Sequence, residues 1–175
     1  MRIIIPAHPD HISWMADNMS EEDREECAAM GLGPLRALQT GFEHSVAAWT
    51  GLKVPEQRPL CMFGLIPVEG ILNGTGSPWF LSTPELRRYA IRFLKDCDQY
   101  LNRMLDIFPT LVEYVDARHS RGIKWVKWLG FTLTGPEPWG PYGAPFYRAE
   151  IKRAAARGHG GGNKIARMEP SPITR

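Results

Sequence analysis

The chain has 175 residues and a formal net charge of +2, with 43% hydrophobic and 23% charged residues. A chain of this length and composition can bury a core of its own, so it needs neither disulfides nor structural metals to fold. No apolar run approaches the roughly 20 residues of a membrane-spanning helix, and the three cysteines, which lack CxxC spacing, are expected to be free thiols.

The first part of the chain predicts one strand and three helices. "RIII" is typical of a strand, and "PAHPDHISWMADNM" repeats apolar residues at helical spacing. In "SEEDREECAAMGLG", Ser20 is a predicted N-cap, the acidic first turn favours the positive end of the helix dipole, and Gly31 ends the helix. "GPLRALQTGF" adds a short third helix with Pro34 near its start.

The middle of the chain predicts an antiparallel meander and then one long helix. Strands over "HSVAAWTGL" and "PLCMFGLIPV" are joined by a turn at residues 53–59, and "SPWFLS" is the third strand, after the turn signal "NGTG". "STPELRRYAIRFLKDCDQYLNRMLDIFP" predicts the long helix, with Thr83 as N-cap, Pro84 at the first helical position and Pro109 at its end. An apolar stripe at i, i+3 and i+4 spacing marks its buried face.

The next segments predict a return to the sheet. "TLVEYVDA" is a compact apolar strand that we place near the centre of the sheet. "SRGIKWVKWLG" predicts a short helix in which Gly130 takes the left-handed position after the last turn. "FTLTG" is the following strand, "PEPWGPYGA" is expected as a Pro/Gly loop, and "PFYRAEI" is the last strand.

The end of the chain differs from the rest in composition and charge. From Lys152 to Arg175 the net charge is +5, whereas residues 1–151 carry −3. Few large apolar residues and a run of three glycines predict a segment outside the folded domain. We therefore divide the chain into a domain of residues 1–152 and a basic tail of residues 153–175, which either docks on a partner or is flexible.

This order of strands and helices resembles the fold of the GNAT N-acyltransferases. The sharpest match is "TLVEYVDARHSRGIKWVKWLGFTL", which is similar to the fifth strand, fourth helix and sixth strand of that family. The resemblance covers about residues 2–151. It implies an α/β (α+β) fold with a mixed, mostly antiparallel twisted sheet flanked by helices.

A narrower resemblance is to short phage proteins of the internal-virion-protein-A type, through "EEDREECAAMG", "FGLIPVEGILNGTGSPWFLST" and "WVKWLGF". It implies a virion-associated or assembly protein, in the virion or the host cytoplasm, that binds other phage structural proteins and has neither acyltransferase activity nor a cofactor. The partner-binding surfaces are expected in the 136–146 loop and the tail, at Trp139, Tyr142, Arg153, Arg157, Lys164 and Arg167. Because no aromatic residues alternate with its basic ones, the tail would contact nucleic acid only weakly, through phosphates.

The segment before the long helix argues against coenzyme binding. The resemblance places the diphosphate of acyl-CoA there, where the family usually has Gln/Arg-x-x-Gly-x-Gly/Ala. Here "STPELRRYA" has no glycine, Pro84 lacks an N–H donor, and Glu85 brings a carboxylate to the position of the phosphate. A non-enzymatic role is therefore the first hypothesis.

The alternative hypothesis is an acetyl-CoA-dependent N-acyltransferase that acts on an unidentified amine. Glu69 would be its base, unless it is only a solvated turn residue, and His119 would be its acid, unless it only caps a helix start. The catalytic tyrosine of the family has no counterpart, because the short helix carries Trp125 and Trp128 instead. Coenzyme contacts would fall on Leu81, Arg87, Arg88 and His119.

The motif "HPDH" at residues 8–11 holds two histidines and one aspartate. Its spacing matches no strong metal-ligand pattern, and a third, distant ligand would be needed. Pro9 and Asp10 are ordinary residues at a helix start, so we expect no metal site there.

Overall fold

A seven-stranded sheet in the order β1-β2-β3-β4-β5-β7-β6 forms the centre of the computed structural model, which describes residues 2–153. Neighbouring strands are antiparallel, except that β4 and β5 are parallel. The strands are β1 (Arg2–Pro6), β2 (Ala47–Lys53), β3 (Arg58–Pro67), β4 (Thr75–Ser82), β5 (Thr110–Asp116), β6 (Thr132–Trp139) and β7 (Ala144–Lys152).

Helices cover both faces of the sheet. The core on one face includes residues of α4 and α5, and the core on the other face includes residues of α1, α2 and α3. The helices are α1 (Asp10–Asp17), α2 (Glu21–Ala29), α3 (Pro34–His44), α4 (Ala90–Ile107) and α5 (Ser120–Trp128), with short 3-10 helices at Ile71–Asn73 and Pro84–Tyr89. Among residues 2–153, no helix has the length and apolar character needed to cross a membrane.

The predicted meander and the predicted start of α2 are confirmed. β2, β3 and β4 pair in sequence, with Trp49 opposite Phe63 and Phe63 opposite Phe80. The aromatic rings of Trp49 and Phe63 stack with their centroids 5.5 Å apart, which ties the strands together on that face. At the start of α2, Ser20 Oγ accepts a hydrogen bond from Asp23 N, as an N-cap serine should.

The long helix begins later than the sequence predicts. Residues Pro84–Tyr89 form a 3-10 helix, and the α-helix starts only at Ala90. Thr83 does not cap the helix with its side chain, because its Oγ1 donates to Leu60 O over 3.1 Å. The hydroxyl group of Thr83, which was expected to cap the helix, is therefore hydrogen-bonded to β3 instead.

Strand β6 is longer than predicted and includes part of the expected loop. It runs through Pro136 and Pro138 to Trp139, so the connection to β7 shrinks to residues 140–143. β6 is the outer strand of the sheet, and a register shift lies between Thr134 and Glu137. Proline has no N–H to donate to a neighbouring strand, and an outer strand has a neighbour on one side only. Proline is therefore tolerated here.

Gly76 lies at the last paired position of β4 and β5, and it has no room for a side chain. A Cβ at this position would lie 2.5 Å from Phe108 Cδ2 and 2.7 Å from Leu65 Cδ1. Both neighbours are buried, so the crowding cannot be relieved at the surface.

We expect Gly76→Ala to destabilise the fold by about 1–3 kcal/mol, as overpacking of a core usually does. Urea unfolding measures the change. Gly33→Ala is the matched control, since a Cβ there meets nothing within 4 Å. Equal stability of the two variants would contradict the packing described around Gly76.

Candidate functional site

The two parallel strands of the sheet separate beyond Gly76. β4 and β5 pair only through Thr75 with Thr110 and through Gly76 with Leu111. In addition, Thr110 N donates to Gly74 O over 3.3 Å. A gap therefore opens between the strands toward their C-terminal ends.

Backbone groups of β4 face this gap. Thr83 N donates to Leu60 O on β3, whereas Ser82 turns its own backbone groups away from β3. Because backbone groups alternate in direction along an antiparallel strand, the N–H and C=O of Phe80 point the same way as those of Ser82. They are therefore directed into the gap.

The facing edge of β5 follows the same rule. Ala117 N donates to Pro145 O next to β7, whereas Asp116 N points away from β7. Alternation then directs the N–H and C=O of Val112 and Tyr114 toward the gap. Both walls of the gap thus offer hydrogen-bonding groups to an extended ligand.

Helix α2 closes the wide end of the gap by holding both strands. Ser20 N donates to Ser82 O over 2.8 Å. Asp23 Oδ2 accepts hydrogen bonds from the backbone N and the Oγ of Ser82, at 2.8 and 2.7 Å, and Glu26 Oε1 accepts one from Asp116 N at 2.8 Å. Asp23 and Glu26 are one helical turn apart, so a single turn of α2 ties β4 to β5.

A cleft of about 1200 Å³ passes through the gap. Its walls include Trp79, from the face that carries α1 and α3, and Phe80, Phe93 and Trp125, from the face that carries α4 and α5. Phe80 and Trp125 meet edge to face with their ring centroids 4.1 Å apart. The cleft can therefore receive molecules from both faces of the sheet.

Trp125 adds a hydrogen-bond donor to this apolar wall. Its Nε1 is buried and has no hydrogen-bond partner among residues 2–153. A buried donor is costly to leave unpaired. An acceptor atom on a bound ligand would remove this cost.

Glu113 brings a carboxyl group to the wall of the cleft. It lies on β5, on the same face as the buried Leu111 and Val115. Burial raises the pKa of Glu113 to about 8, the charge of Glu26 adds to the rise, and the charge of His119 opposes it. Within residues 2–153 its carboxyl forms neither a hydrogen bond nor an ion pair. Such a group can take up or release a proton near neutral pH.

His119 is held in the site by Glu26. It is the N-cap residue of α5, yet its side chain makes no capping hydrogen bond. Its Nδ1 instead lies 2.9 Å from Glu26 Oε2. This hydrogen bond is the largest cause of the raised pKa of His119, and the charges of Glu26, Asp23 and Glu22 contribute. With Nδ1 occupied, Nε2 is the nitrogen left to exchange a proton with a ligand.

Asp23, Glu26 and His119 form a compact polar group. Asp23 is 5% exposed, and burial raises its pKa although the hydrogen bonds from Ser82 oppose this. The ligand atoms of the three residues lie within 4.8 Å of one another, a spacing that could hold a metal ion. Each residue is already hydrogen-bonded to a strand or to another member of the group. We therefore interpret the group as the network that fixes α2 and His119.

The "HPDH" residues do not join this group. His8 Nδ1 lies 3.3 Å from Asp10 Oδ2, and His11 Nδ1 lies 3.0 Å from Thr50 Oγ1. In the described part of the chain they form no cluster with the spacing of a metal site. His11 thus links the start of α1 to β2, whereas His8 and Asp10 contact each other.

The segment before α4 is less repulsive to anions than its sequence predicts. Glu85 Oε1 lies 3.0 Å from Lys53 Nζ, and Glu85 Oε2 lies 2.6 Å from a guanidinium nitrogen of Arg58. The hydrogen bond from Lys53 is the main cause of the lowered pKa of Glu85. Its charge is thus balanced, which corrects the expected repulsion of a phosphate. The missing glycines and the missing N–H of Pro84 remain.

Of the five residues that the sequence suggests for catalysis or coenzyme contacts, four lie on the cleft walls: Glu69, Leu81, Arg87 and His119. The fifth, Arg88, is exposed and does not line the cleft. Glu69 follows β3 in the left-handed region, with φ of 54°, and its Oε2 accepts a hydrogen bond from Asn73 Nδ2 at 3.1 Å. The candidate base of the sequence analysis therefore lies in a turn at the far end of the cleft from α2.

The residues expected to bind a partner have different environments. Trp139 stacks on Tyr114 with the ring centroids 3.8 Å apart, and Tyr142 is 74% exposed. Arg153 donates two hydrogen bonds from its guanidinium group to Leu105 O, from Nε at 3.0 Å and from Nη2 at 2.6 Å, so it binds the end of α4. Three further residues, Arg157, Lys164 and Arg167, lie outside the described residues.

Three carboxyl groups of the site carry no functional prediction from the sequence: Asp23, Glu26 and Glu113. The signal for Glu113 is a single charged residue inside the apolar strand "TLVEYVDA". Asp23 and Glu26 look like ordinary acidic residues of a solvated helix. Their role becomes visible only when β4 and β5 are in place beside them.

Comparison with solved structures finds similar folds, although no protein-family model and no curated protein sequence matches the chain. Spermidine N-acetyltransferase from Vibrio cholerae, solved with CoA and spermine, aligns with a TM-score of 0.65 and 10% identity, over 89% of this chain and 97% of that one. A GNAT-family acetyltransferase from Bacillus anthracis gives 0.63 and 9%, over 86% and 94%. Ribosomal-protein-S5-alanine acetyltransferase from Vibrio fischeri gives 0.63 and 9%, over 89% and 95%.

These comparisons correct the functional hypothesis drawn from the sequence. The interpretation as a phage virion or assembly protein is wrong, because the structures named here that share the fold carry the names of acetyltransferases and none is a phage protein. The expectation of no cofactor also lacks support, since one of these structures is a CoA complex. The predicted mixed sheet flanked by helices is confirmed, and the described chain has the fold of the GNAT acetyltransferases.

Proposed function

We propose that this protein is an N-acyltransferase that transfers an acetyl group from acetyl-CoA to an amine. The observation that carries the proposal is the cleft between β4 and β5, which crosses the sheet and has Glu113 on its wall. Transfer between two substrates needs one site that both can reach. A cleft open to both faces of the sheet meets this need.

Glu113 is the proposed general base. An amine attacks a thioester only when its nitrogen lone pair is free, so a proton must leave the nitrogen. A carboxyl group whose pKa is raised to about 8 is better matched to this task than an ordinary glutamate, because a base works best when its pKa is near the working pH.

His119 is the proposed general acid. As the C–N bond forms and the C–S bond breaks, the thiolate of CoA needs a proton. His119 has a raised pKa because of its hydrogen bond to Glu26, so it is more often protonated at neutral pH than a free histidine. It thus replaces the tyrosine that the resemblance implies and the helix lacks.

The gap supplies the proposed binding groups for the substrate. The N–H and C=O of Phe80 can pair with the amide groups of an extended pantetheine arm, as a further strand would. Trp125 Nε1, unpaired within residues 2–153, is available to a carbonyl oxygen. The apolar rings of Phe80 and Trp125 keep water away from the reacting thioester.

The acceptor amine is proposed to enter from the face that carries α1 and α3. There the cleft is lined by Met30 and Trp79 and by the stacked pair Tyr114 and Trp139. Glu113 points to the other face, with Leu111 and Val115, so the amine nitrogen would reach its carboxyl group through the gap. Several proteins of this fold are named for amine acetylation, among them the spermidine enzyme of Vibrio cholerae.

Thermal unfolding in the presence of acetyl-CoA tests the proposal. At a ligand concentration about 100 times Kd we expect a stabilisation of about 2.7 kcal/mol. For a domain of this size that corresponds to a rise in Tm of about 5–10 °C. ADP, which has the diphosphate but no pantetheine arm, is the control and should give a smaller rise. No shift with acetyl-CoA at millimolar concentration would contradict an acyltransferase.

A further inference from the structure

Two arginines from separate elements meet on one carboxylate at the wide end of the cleft. Arg87, in the 3-10 helix Pro84–Tyr89, donates to both carboxylate oxygens of Glu22, at 3.0 and 2.9 Å. Arg121, in the first turn of α5, donates to Glu22 Oε1 as well. All three residues line the cleft. A single carboxylate is thus clamped by two guanidinium groups.

Several features favour negative charge at this point. Glu22 lies in the first turn of α2, and Arg121 lies in the first turn of α5, so the positive ends of two helix dipoles are close. The pKa of Glu22 is lowered, first by a hydrogen bond to its own backbone and further by Arg121 and Arg87. The site therefore binds an anion already, and the anion belongs to the chain itself.

The clamp is accessible to a ligand. The side chain of Glu22 is 29% exposed, and those of Arg87 and Arg121 are each 54% exposed. Glu22 can leave the arginines for solvent without being buried elsewhere. Displacement of this carboxylate therefore needs no unfolding of α2, which Ser20, Asp23 and Glu26 hold independently.

The position of the clamp complements the segment that precedes α4. That segment has no glycine, and Pro84 offers no N–H, so its backbone is poorly suited to hold a diphosphate. Arg87 belongs to the same segment, and Lys124 lines the cleft one turn after Arg121. Arginine pairs bind phosphate oxygens with two hydrogen bonds each. Side chains can therefore do here what backbone amides cannot.

We propose that Arg87 and Arg121 form a diphosphate-binding site and that Glu22 occupies it as an internal competitor in the free protein. The ligand class is an organic diphosphate, and on the proposed function it is the diphosphate of acyl-CoA. Binding then exchanges one carboxylate for a group of higher charge on the same two guanidinium groups. In the molecules in which Glu22 occupies the two arginines, the diphosphate cannot bind. The apparent affinity of the free protein for the diphosphate is therefore lower than that of the unoccupied site.

Glu22→Gln tests this inference because it removes the competitor and keeps its shape. We expect CoA to bind about tenfold more tightly to this variant by calorimetry, with the affinity for pantetheine unchanged, since pantetheine lacks the diphosphate. Glu21→Gln is the matched control: it removes the same charge from an exposed position of the same helical turn. Arg121→Gln should weaken CoA binding at least tenfold and leave pantetheine binding unchanged.

Inorganic pyrophosphate separates this inference from the proposed function. Tighter binding of pyrophosphate to Glu22→Gln than to Glu21→Gln supports the site even if acetyl-CoA is never turned over. If Glu22→Gln binds CoA and pyrophosphate no better than Glu21→Gln does, Glu22 is only a tether between α2 and the arginines, and the inference is wrong. A lower Tm together with weaker binding would overturn it in the same way.

Discussion

Replacing Glu113 by glutamine is expected to slow acyl transfer by about 10²–10⁴-fold, the usual contribution of a general base. The amide has nearly the same shape as the carboxyl group but cannot take the proton of the amine. For the unaltered protein, kcat/KM should rise with pH through about 8, where Glu113 ionises. In Glu113→Gln that rise should disappear.

The same substitution should make the fold more stable at alkaline pH. From pH 4.5, the ordinary pKa, up to about 8, the unfolded chain has lost the proton of Glu113 and the folded protein keeps it. Stability therefore falls across this range as pH rises, and the loss is complete above it. Glutamine avoids the loss, which we place on the order of 2 kcal/mol, less than the full pKa shift would give, because Glu113 is partly exposed to solvent.

Urea unfolding at pH 6 and pH 9, together with steady-state rates, measures both effects. Glu43→Gln, at an exposed position of α3, is the control for loss of one carboxylate. Glu69→Gln tests the residue favoured by sequence, and we expect less than a tenfold loss of rate. A fully active Glu113→Gln would remove Glu113 from the proposed mechanism.

Replacing His119 by glutamine is expected to lower kcat by about 10²-fold or more, because the leaving thiolate would no longer receive a proton from the protein. Glutamine can keep a hydrogen bond to Glu26, so the position of α5 should change little. The substitution therefore tests proton transfer rather than the packing of the helix.

Glu26→Gln separates the acid role of His119 from a structural one. The hydrogen bond and charge of Glu26 raise the pKa of His119, so their removal lowers it. The pH above which His119 becomes neutral then falls, and kcat should decline at lower pH than in the unaltered protein. An unchanged alkaline limb in the profile of kcat against pH would show that His119 is not the acid.

Much of the fold was predictable because its signals are local. Ser20 at the N-cap and the alternation of the meander strands depend on neighbours in sequence, and both are confirmed. The errors arose where a distant strand decides. Thr83 gives its hydroxyl to Leu60 of β3, and Pro136 is accepted in β6 only because that strand is the outer one.

The site was less predictable for the same reason. Asp23 meets Ser82 across 59 positions of sequence, and Glu26 meets Asp116 across 90. No spacing rule reaches that far. For Glu85 the sequence led to a different error. It was expected to carry an uncompensated negative charge, but Lys53 on β2 and Arg58 on β3 form ion pairs with it.

One turn of α2 is hydrogen-bonded to both diverging strands. The lengths of its side chains therefore determine how far apart β4 and β5 lie at the wide end of the gap. Asp23 reaches β4 with one methylene group and Glu26 reaches β5 with two. A longer or shorter side chain at either position would change the distance between β4 and β5 without any substitution in the strands themselves. On the proposed function, the side-chain lengths of Asp23 and Glu26 would therefore set the size of acyl chain that the cleft admits.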